Sequence, residues 1–374
     1  MKLNRYIYTK LLTVLLMGWG CLLVACSDHV ETDIEQPKEP QPEQPTGEPL
    51  WVGSLTRNAG EPVVDDDPMK NEYVYLFLSQ GETTPPAGSV LYKGKTDTST
   101  GTVITWDPTP LYVKPGKDYE VFGFLPATEA TTTGTDAPTI SISSTKAIMN
   151  IKNLNAVSTK DICVVIGANT VGQTITRGVF NYHAPENTET GYGVDLLVDH
   201  LYASALFQFK VHTDYDKLRT IKLKKVTMKL KTSSTLPAKV NATVTLTKGS
   251  ASPLEVALSS VAGSGTVSLV LFENNTGDKP GQALKVDETI NMAAYFDPAY
   301  KGDLVLESLY DVYDKHGNKT RENCKAENDL SSLLNVETTV RGAQKVIPLT
   351  VRPTYLYVLS EPDWDYDIPS VETE

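Results

Sequence analysis

Chemistry needs nucleophiles, acids, bases or metal ligands at workable spacings, and this chain offers few of them. Its five histidines, His29, His183, His200, His212 and His316, are widely separated. They form no H-x-x-x-H pair and no His–Cys spacing of the kind that holds zinc. His200 and His212 fall near the ends of expected strands, where a histidine ordinarily packs or faces solvent. There is no G-x-S-x-G elbow and no phosphate-cradling glycine loop. Acidic residues cluster at Asp65, Asp66 and Asp67, and again at Asp363, Asp365 and Asp367. Neither run supplies the glycine and distal glutamate of a calcium loop. The first reads as a solvated loop. The second alternates with Trp364, Tyr366 and Ile368, so it reads as the wet face of a strand whose other face is apolar. No catalytic, metal or cofactor role is expected, and the chain is not expected to be an enzyme.

Two single residues stand out instead for covalent processing. Lys2, Arg5 and Lys10 precede an apolar stretch from Leu11 to Ala25, too short for a membrane span and suited to a signal peptide over residues 1–25. It ends in Leu23-Val24-Ala25-Cys26, which resembles a bacterial lipobox. That resemblance implies lipid on the Cys26 thiol, attachment to a membrane, and an exported, outer-membrane lipoprotein. Residues 26–49 are acidic and rich in proline and glutamine, the composition of a tether that cannot bury enough apolar surface to order itself. Leu50 to Thr56 then alternates weakly, with Gly53 interrupting. Arg57 follows, ahead of the turn-like Asn58-Ala59-Gly60-Glu61-Pro62. Beyond Cys21 and Cys26 only Cys163 and Cys324 remain, too few for a disulfide scaffold, so stability must come from apolar cores.

The elements that would position these residues are strands. Short β-branched and aromatic runs recur between turn-rich segments, and helical periodicity is almost absent. Residues 72–78, 101–106, 118–124, 162–165 and 193–198 read as strands. So do 203–213, 220–231, 238–247, 267–272, 289–296, 303–313 and 345–351. The pattern predicts antiparallel sandwiches, each sheet burying one face. The length suits two domains, with residues 50–198 in the N-terminal sandwich and 199–374 in the C-terminal one. The loop at 128–138, poor in apolar residues, is expected to be mobile. A net charge of −12 with no basic cluster excludes nucleic acid as a partner.

The stretch from Val194 to Val211, VDLLVDHLYASALFQFKV, resembles the junction of fimbrillin-like proteins, the subunits of type V pili. Tyr310 to Asn318 and Thr350 to Leu359 resemble that family's C-terminal domain. The resemblance implies an all-β fold of two transthyretin-like antiparallel β-sandwich domains in tandem. It also implies a structural role in a cell-surface fimbria serving adhesion, with other pilus subunits as partners. An arginine-specific protease would then cut between Arg57 and Asn58 and remove the first strand. The tail, with Trp364, Tyr366 and Ile368 as apolar knobs, would be the donor strand that fills a neighbour's groove. Two alternatives remain open at this point. One is an anchor or tip subunit that does not polymerise. The other is a surface glycan-binding lipoprotein, for which Trp51, Trp106 and Trp364 are the aromatic candidates.

Overall fold

The computed structural model describes residues 47–57, 72–80, 87–93, 104–106, 110–186, 191–274 and 281–352. Chain contacts separate Met1–Pro45 from Thr46–Glu374, and every described residue belongs to the second unit. That unit is nearly all β. Helix among the described residues is confined to α1 (Thr213–Leu218), α2 (Ser331–Leu334) and three single 3-10 turns. No described helix is long and apolar enough to cross a membrane.

The sheet that positions the site has eight strands. Seven follow the order β2 (Trp51–Arg57), β13 (Gly193–His200), β11 (Cys163–Thr170), β7 (Asp118–Leu125), β3 (Tyr73–Ser79), β4 (Ala87–Lys93) and β5 (Ile104–Trp106), while β12 (Asn181–His183) pairs with β7. Its middle is buried on both sides, contrary to the one-faced burial that the pattern predicts. Val74, Leu76 and Leu78 point into one core with Val121, Leu125, Cys163, Val165, Val194, Leu196 and Val198. Tyr75 and Phe77 point into the other with Phe122, Phe124, Val164 and Ile166. The reason lies in the strands themselves, because Tyr73 to Leu78 is apolar at every position, the signature of a strand covered on both faces. Aromatic contacts add directionality: Tyr75 stacks on Phe124 with centroids 5.5 Å apart, and Phe122 meets Phe180 at 4.7 Å.

The second core is contiguous with the inward residues of three further sheets. One has the order β17 (Leu254–Ser260), β16 (Lys239–Thr247), β9 (Lys146–Asn155), β8 (Thr139–Ile142). Another has β10 (Val157–Ser158), β20 (Ile290–Phe296), β14 (Ala203–Val211), β23 (Gln344–Val351). The third has β18 (Ser268–Glu273), β15 (Thr220–Leu230), β21 (Leu304–Tyr313), β22 (Lys319–Asp329), with β19 (Gln282–Ala283) against β15. A small pair joins β1 (Glu48–Pro49) to β6 (Tyr112–Val113). Hydrogen bonding passes across 198/199, since Met149 of β9 lies opposite Val244 of β16 and Val157 of β10 opposite Phe296 of β20. Most pairs are antiparallel, but β2 runs parallel to β13 and β23 parallel to β14. The wholly antiparallel expectation therefore fails at those two edges.

The 128–138 segment is also better anchored than its composition suggests. It carries 3-10 turns at Ala127–Glu129 and Gly134–Asp136. Asn155 Nδ2 donates to Glu129 Oε2 at 2.8 Å, and Asn153 Nδ2 donates to Asp136 Oδ2 at 3.0 Å. Polar side chains hold this loop, and Ala130 packs against the second core.

Candidate functional site

The strand β2 is an edge strand, hydrogen-bonded along its length to β13. Leu50, Val52 and Leu55 are buried in the first core. In a regular strand, positions 52 and 55 would face opposite ways. A bulge at Gly53 corrects the phase: Val52 pairs with Val194 and Ser54 with Asp195, leaving Gly53 unpaired between them. A Cβ at Gly53 would collide with Val171 Cγ2 and lie 2.7 Å from Asp195 Oδ1, so a larger residue there must displace those side chains. The interruption read in the sequence is thus what lets the strand bury three side chains.

Several contacts clasp β2 in place. Leu50 N–H donates to Leu111 O at 2.8 Å, and Trp51 N–H donates to Tyr192 O at 3.0 Å. Trp106 Nε1 donates to Leu50 O at 2.6 Å. Ser54 Oγ donates to Asp195 Oδ1 at 2.8 Å, while the other oxygen of Asp195 accepts from Gly172 N–H at 3.0 Å. The Trp51 ring lies against Gly191 and Gly193, where an added Cβ would stand 2.8 Å from Nε1 and 2.5 Å from Cζ2. Trp51 thus lays its ring over Gly191 and Gly193, and Trp106 gives its indole N–H to Leu50 O, so both side chains help to hold this strand.

The strand ends at Arg57, half-buried and opposite Val198. Arg57 lines a recess of about 190 Å³ with Asp161, His200, Tyr202, Ser204, Tyr295, Gly342 and Gln344. Behind it, the β11–β13 pairing sets Cys163 directly across from His200. His200 Nδ1 lies 2.8–2.9 Å from the two oxygens of Asp161 and 3.6 Å from Cys163 Sγ. Arg341 Nη1 donates to His200 O at 2.6 Å and sits 3.3 Å from Asp199 Oδ2. The hydrogen bond to Asp161 raises the His200 pKa, against the opposing effect of burial. Burial pushes the Cys163 thiol well up, and Asp161 adds to it.

This is not the geometry of a nucleophilic relay. A relay uses the two imidazole nitrogens on opposite sides, one for the nucleophile and one for the orienting acid. Here thiol and carboxylate face the same nitrogen, and the thiol is held in its protonated form. The sequence alone does not bring these groups together, because Cys163 and His200 are 37 residues apart and only cross-strand register joins them. The other described histidines serve local structure. His183 pairs with exposed Asp118 at 2.7 Å, His212 caps α1 by accepting from Asp214 N–H at 3.3 Å, and the N–H of His316 donates to Asp314 in a tight turn. Neither Cys163, buried, nor Cys324, half-buried, is in a disulfide. Cys26, Asn58, Trp364, Tyr366 and Ile368 lie outside the described residues.

No family model matches the chain, and no curated protein does. Among solved structures, a proposed cell adhesion protein from Bacteroides uniformis is similar with a TM-score of 0.40 and 12% identity, over 80% of this chain and 93% of that one. A proposed cell adhesion protein from Bacteroides fragilis gives 0.39 and 11%, over 82% and 94%. A fimbrial protein from Bacteroides vulgatus gives 0.37 and 12%, over 80% and 94%. These three solved structures come from Bacteroides and are named as fimbrial or cell adhesion proteins.

Proposed function

We propose that this chain is a structural subunit of an adhesive cell-surface fimbria of the type V kind. It is exported as a lipoprotein acylated on Cys26, and an arginine-specific protease then cuts between Arg57 and Asn58. The observation that carries the reading is the construction of β2. It is an edge strand that ends at Arg57 and, with Leu50 just before it, contributes Leu50, Val52 and Leu55 to the first core. Its removal leaves the outer edge of β13 with unpaired N–H and C=O groups above three vacated apolar sites. Each of those side chains contributes roughly 1.5–3 kcal/mol by burial, so the emptied groove strongly favours a replacement. Strand addition is the general solution, with backbone bonds giving affinity and alternate side chains giving register.

In this reading the tail of the next subunit supplies the replacement, with Trp364, Tyr366 and Ile368 in the apolar role and Asp363, Asp365 and Asp367 toward water. Repetition of the same head-to-tail contact builds a fibre, because the contact is heterologous and does not close on itself. The partners are other pilus subunits and, before cutting, the membrane through the lipid on Cys26. The role is structural rather than catalytic, which the shared Nδ1 of the Cys163–His200–Asp161 cluster supports.

The test is the N-terminus of subunits in sheared fibres. Mass spectrometry is expected to find Asn58, and Arg57→Ala is expected to leave a lipidated chain that does not enter fibres. Fibre subunits that begin at Cys26 would overturn the reading.

A further inference from the structure

Asp161, Cys163 and His200 bring a carboxylate, a thiol and an imidazole so close that their ligand atoms all lie within 4.8 Å of one another. We propose that these three side chains form a binding site for a divalent ion of the zinc class, with the fourth coordination position opening to the recess beside Arg57. The proposal concerns the uncut chain, in which Arg57 lines the recess.

Geometry supports it first. With Zn–S near 2.3 Å, Zn–N near 2.05 Å and Zn–O near 2.1 Å, a tetrahedral ion needs ligand edges of about 3.55 Å between S and N and about 3.4 Å between N and O. The Cys163 Sγ to His200 Nδ1 distance is 3.6 Å. The His200 to Asp161 distances of 2.8–2.9 Å must open by about half an ångström as the hydrogen bond gives way to two metal bonds. His200, with 26% of its side chain exposed, is the ligand with room to move, whereas the Asp161 side chain is 3% exposed and Cys163 is fully buried.

Chemistry supports it next. Thiolate, imidazole and carboxylate together suit zinc-class ions rather than calcium or magnesium, which take oxygen ligands. Thiolate and carboxylate neutralise the ion's two charges. On binding, the Cys163 thiol gives up its proton, and His200 gives up its Nδ1 proton to ligate as neutral imidazole. Arg341 is engaged by Asp199 and by the His200 carbonyl, so it fixes the backbone of a ligand rather than occupying the ion's place. Three protein ligands and one open position is the pattern of a site that exchanges its fourth ligand, not of a closed structural site.

The experiment uses the chain from Ser27 onward, in which Cys163 and Cys324 are the only thiols. The reduced protein is dialysed against Zn²⁺ and, separately, titrated with Co²⁺. The expected result is one zinc per chain after dialysis. Cobalt should give a thiolate-to-metal charge-transfer band together with the visible spectrum of a tetrahedral ion. Cys324→Ser should retain both signals. Cys163→Ser should abolish the charge-transfer band, and His200→Gln should weaken affinity by more than about 100-fold, beyond what loss of an outer-shell contact does. Absence of the band from the unaltered chain overturns the site. A band that survives Cys163→Ser or disappears with Cys324→Ser also overturns it, whatever the folding of the other variants.

Discussion

At the scale of single residues, burial and hydrogen bonding decide which charges the fold tolerates. Lys224 and Asp311 are almost wholly buried, with Nζ and Oδ2 3.6 Å apart. Asn323 serves both, accepting from Lys224 Nζ at 2.7 Å and donating its N–H to Asp311 Oδ1 at 2.8 Å. It takes φ of 54° to do so. A buried pair survives only with such extra hydrogen bonds, since two desolvated ions seldom repay their hydration unaided. Asp297 is a simpler case and yields a prediction. Its Oδ1 accepts from Ala299 N–H at 2.9 Å to cap the 3-10 turn at Pro298–Tyr300. Burial raises its pKa above the ordinary 3.8, and the Ala299 bond offsets only part of that. A carboxyl whose folded pKa is raised binds its proton more tightly in the fold. Ionised Asp297 therefore costs stability at neutral pH, and the cost fades as pH falls through the folded value. Asp297→Asn keeps the capping acceptor without the charge. It is expected to be more stable than the parent at pH 7, with the difference fading as pH falls through the raised folded value toward 3.8. Melting curves of both proteins across that range check this, and a gap independent of pH would refute it.

At the scale of elements, edge strands behave differently according to what they carry. The long edge strand β22 presents Lys319, Arg321, Glu322, Lys325, Glu327 and Asp329, a density of charge that discourages pairing with another chain. Strand β2 carries no such defence along Trp51 to Thr56 and is instead locked by its bulge and by Trp51 and Trp106. The lock is sensitive to one atom. Gly53→Val forces side-chain bulk against Val171 and Asp195, and overpacking of this kind costs typically 1–3 kcal/mol. Most of that penalty is expected to appear locally. Amides of β2 and its partner β13 should exchange faster, and cutting at Arg57 by trypsin should accelerate, while the second core keeps its protection. Unchanged exchange in β2 would show that the bulge does not hold the strand.

At the scale of the whole molecule, the described unit is held together by sheets that draw strands from distant parts of the chain. Residues 139–158 of β8, β9 and β10 share sheets with residues from 203 onward. The expected boundary at 198/199 falls within β13, two residues before its end, and hydrogen bonding passes across it. The outer edge of β14 is already taken by β23, which ends at Val351. Deletion of residues 361–374 is accordingly expected to leave a β-rich circular dichroism spectrum and melting behaviour unchanged while abolishing fibre growth. Normal fibres from the shortened chain would eliminate the tail as donor.

The residues by themselves determined the all-β class, because alternation in stretches such as 203–211 and 239–247 places apolar side chains on one face of an extended chain. They also marked Arg57 as the end of a short strand and Gly53 as a break within it. Strands β4, β8, β9, β17 and β22, and the short β1, β6, β10, β12 and β19, lie outside the expected strands, and β9 and β22 show two different reasons. Ala147, Met149 and Ile151 alternate as plainly as any, so β9 carried the signal; β22 is an edge of charged residues and carried almost none. What only the tertiary structure decided is partnership: which strands pair, in which direction, and what stands across from what. Periodicity reports the face a residue occupies and is silent on its neighbour, since pairing is set by contacts far apart in sequence. Parallel pairing of β2 and β23, double-sided burial of β3 and β7, and the meeting of Asp161, Cys163 and His200 all depend on such contacts.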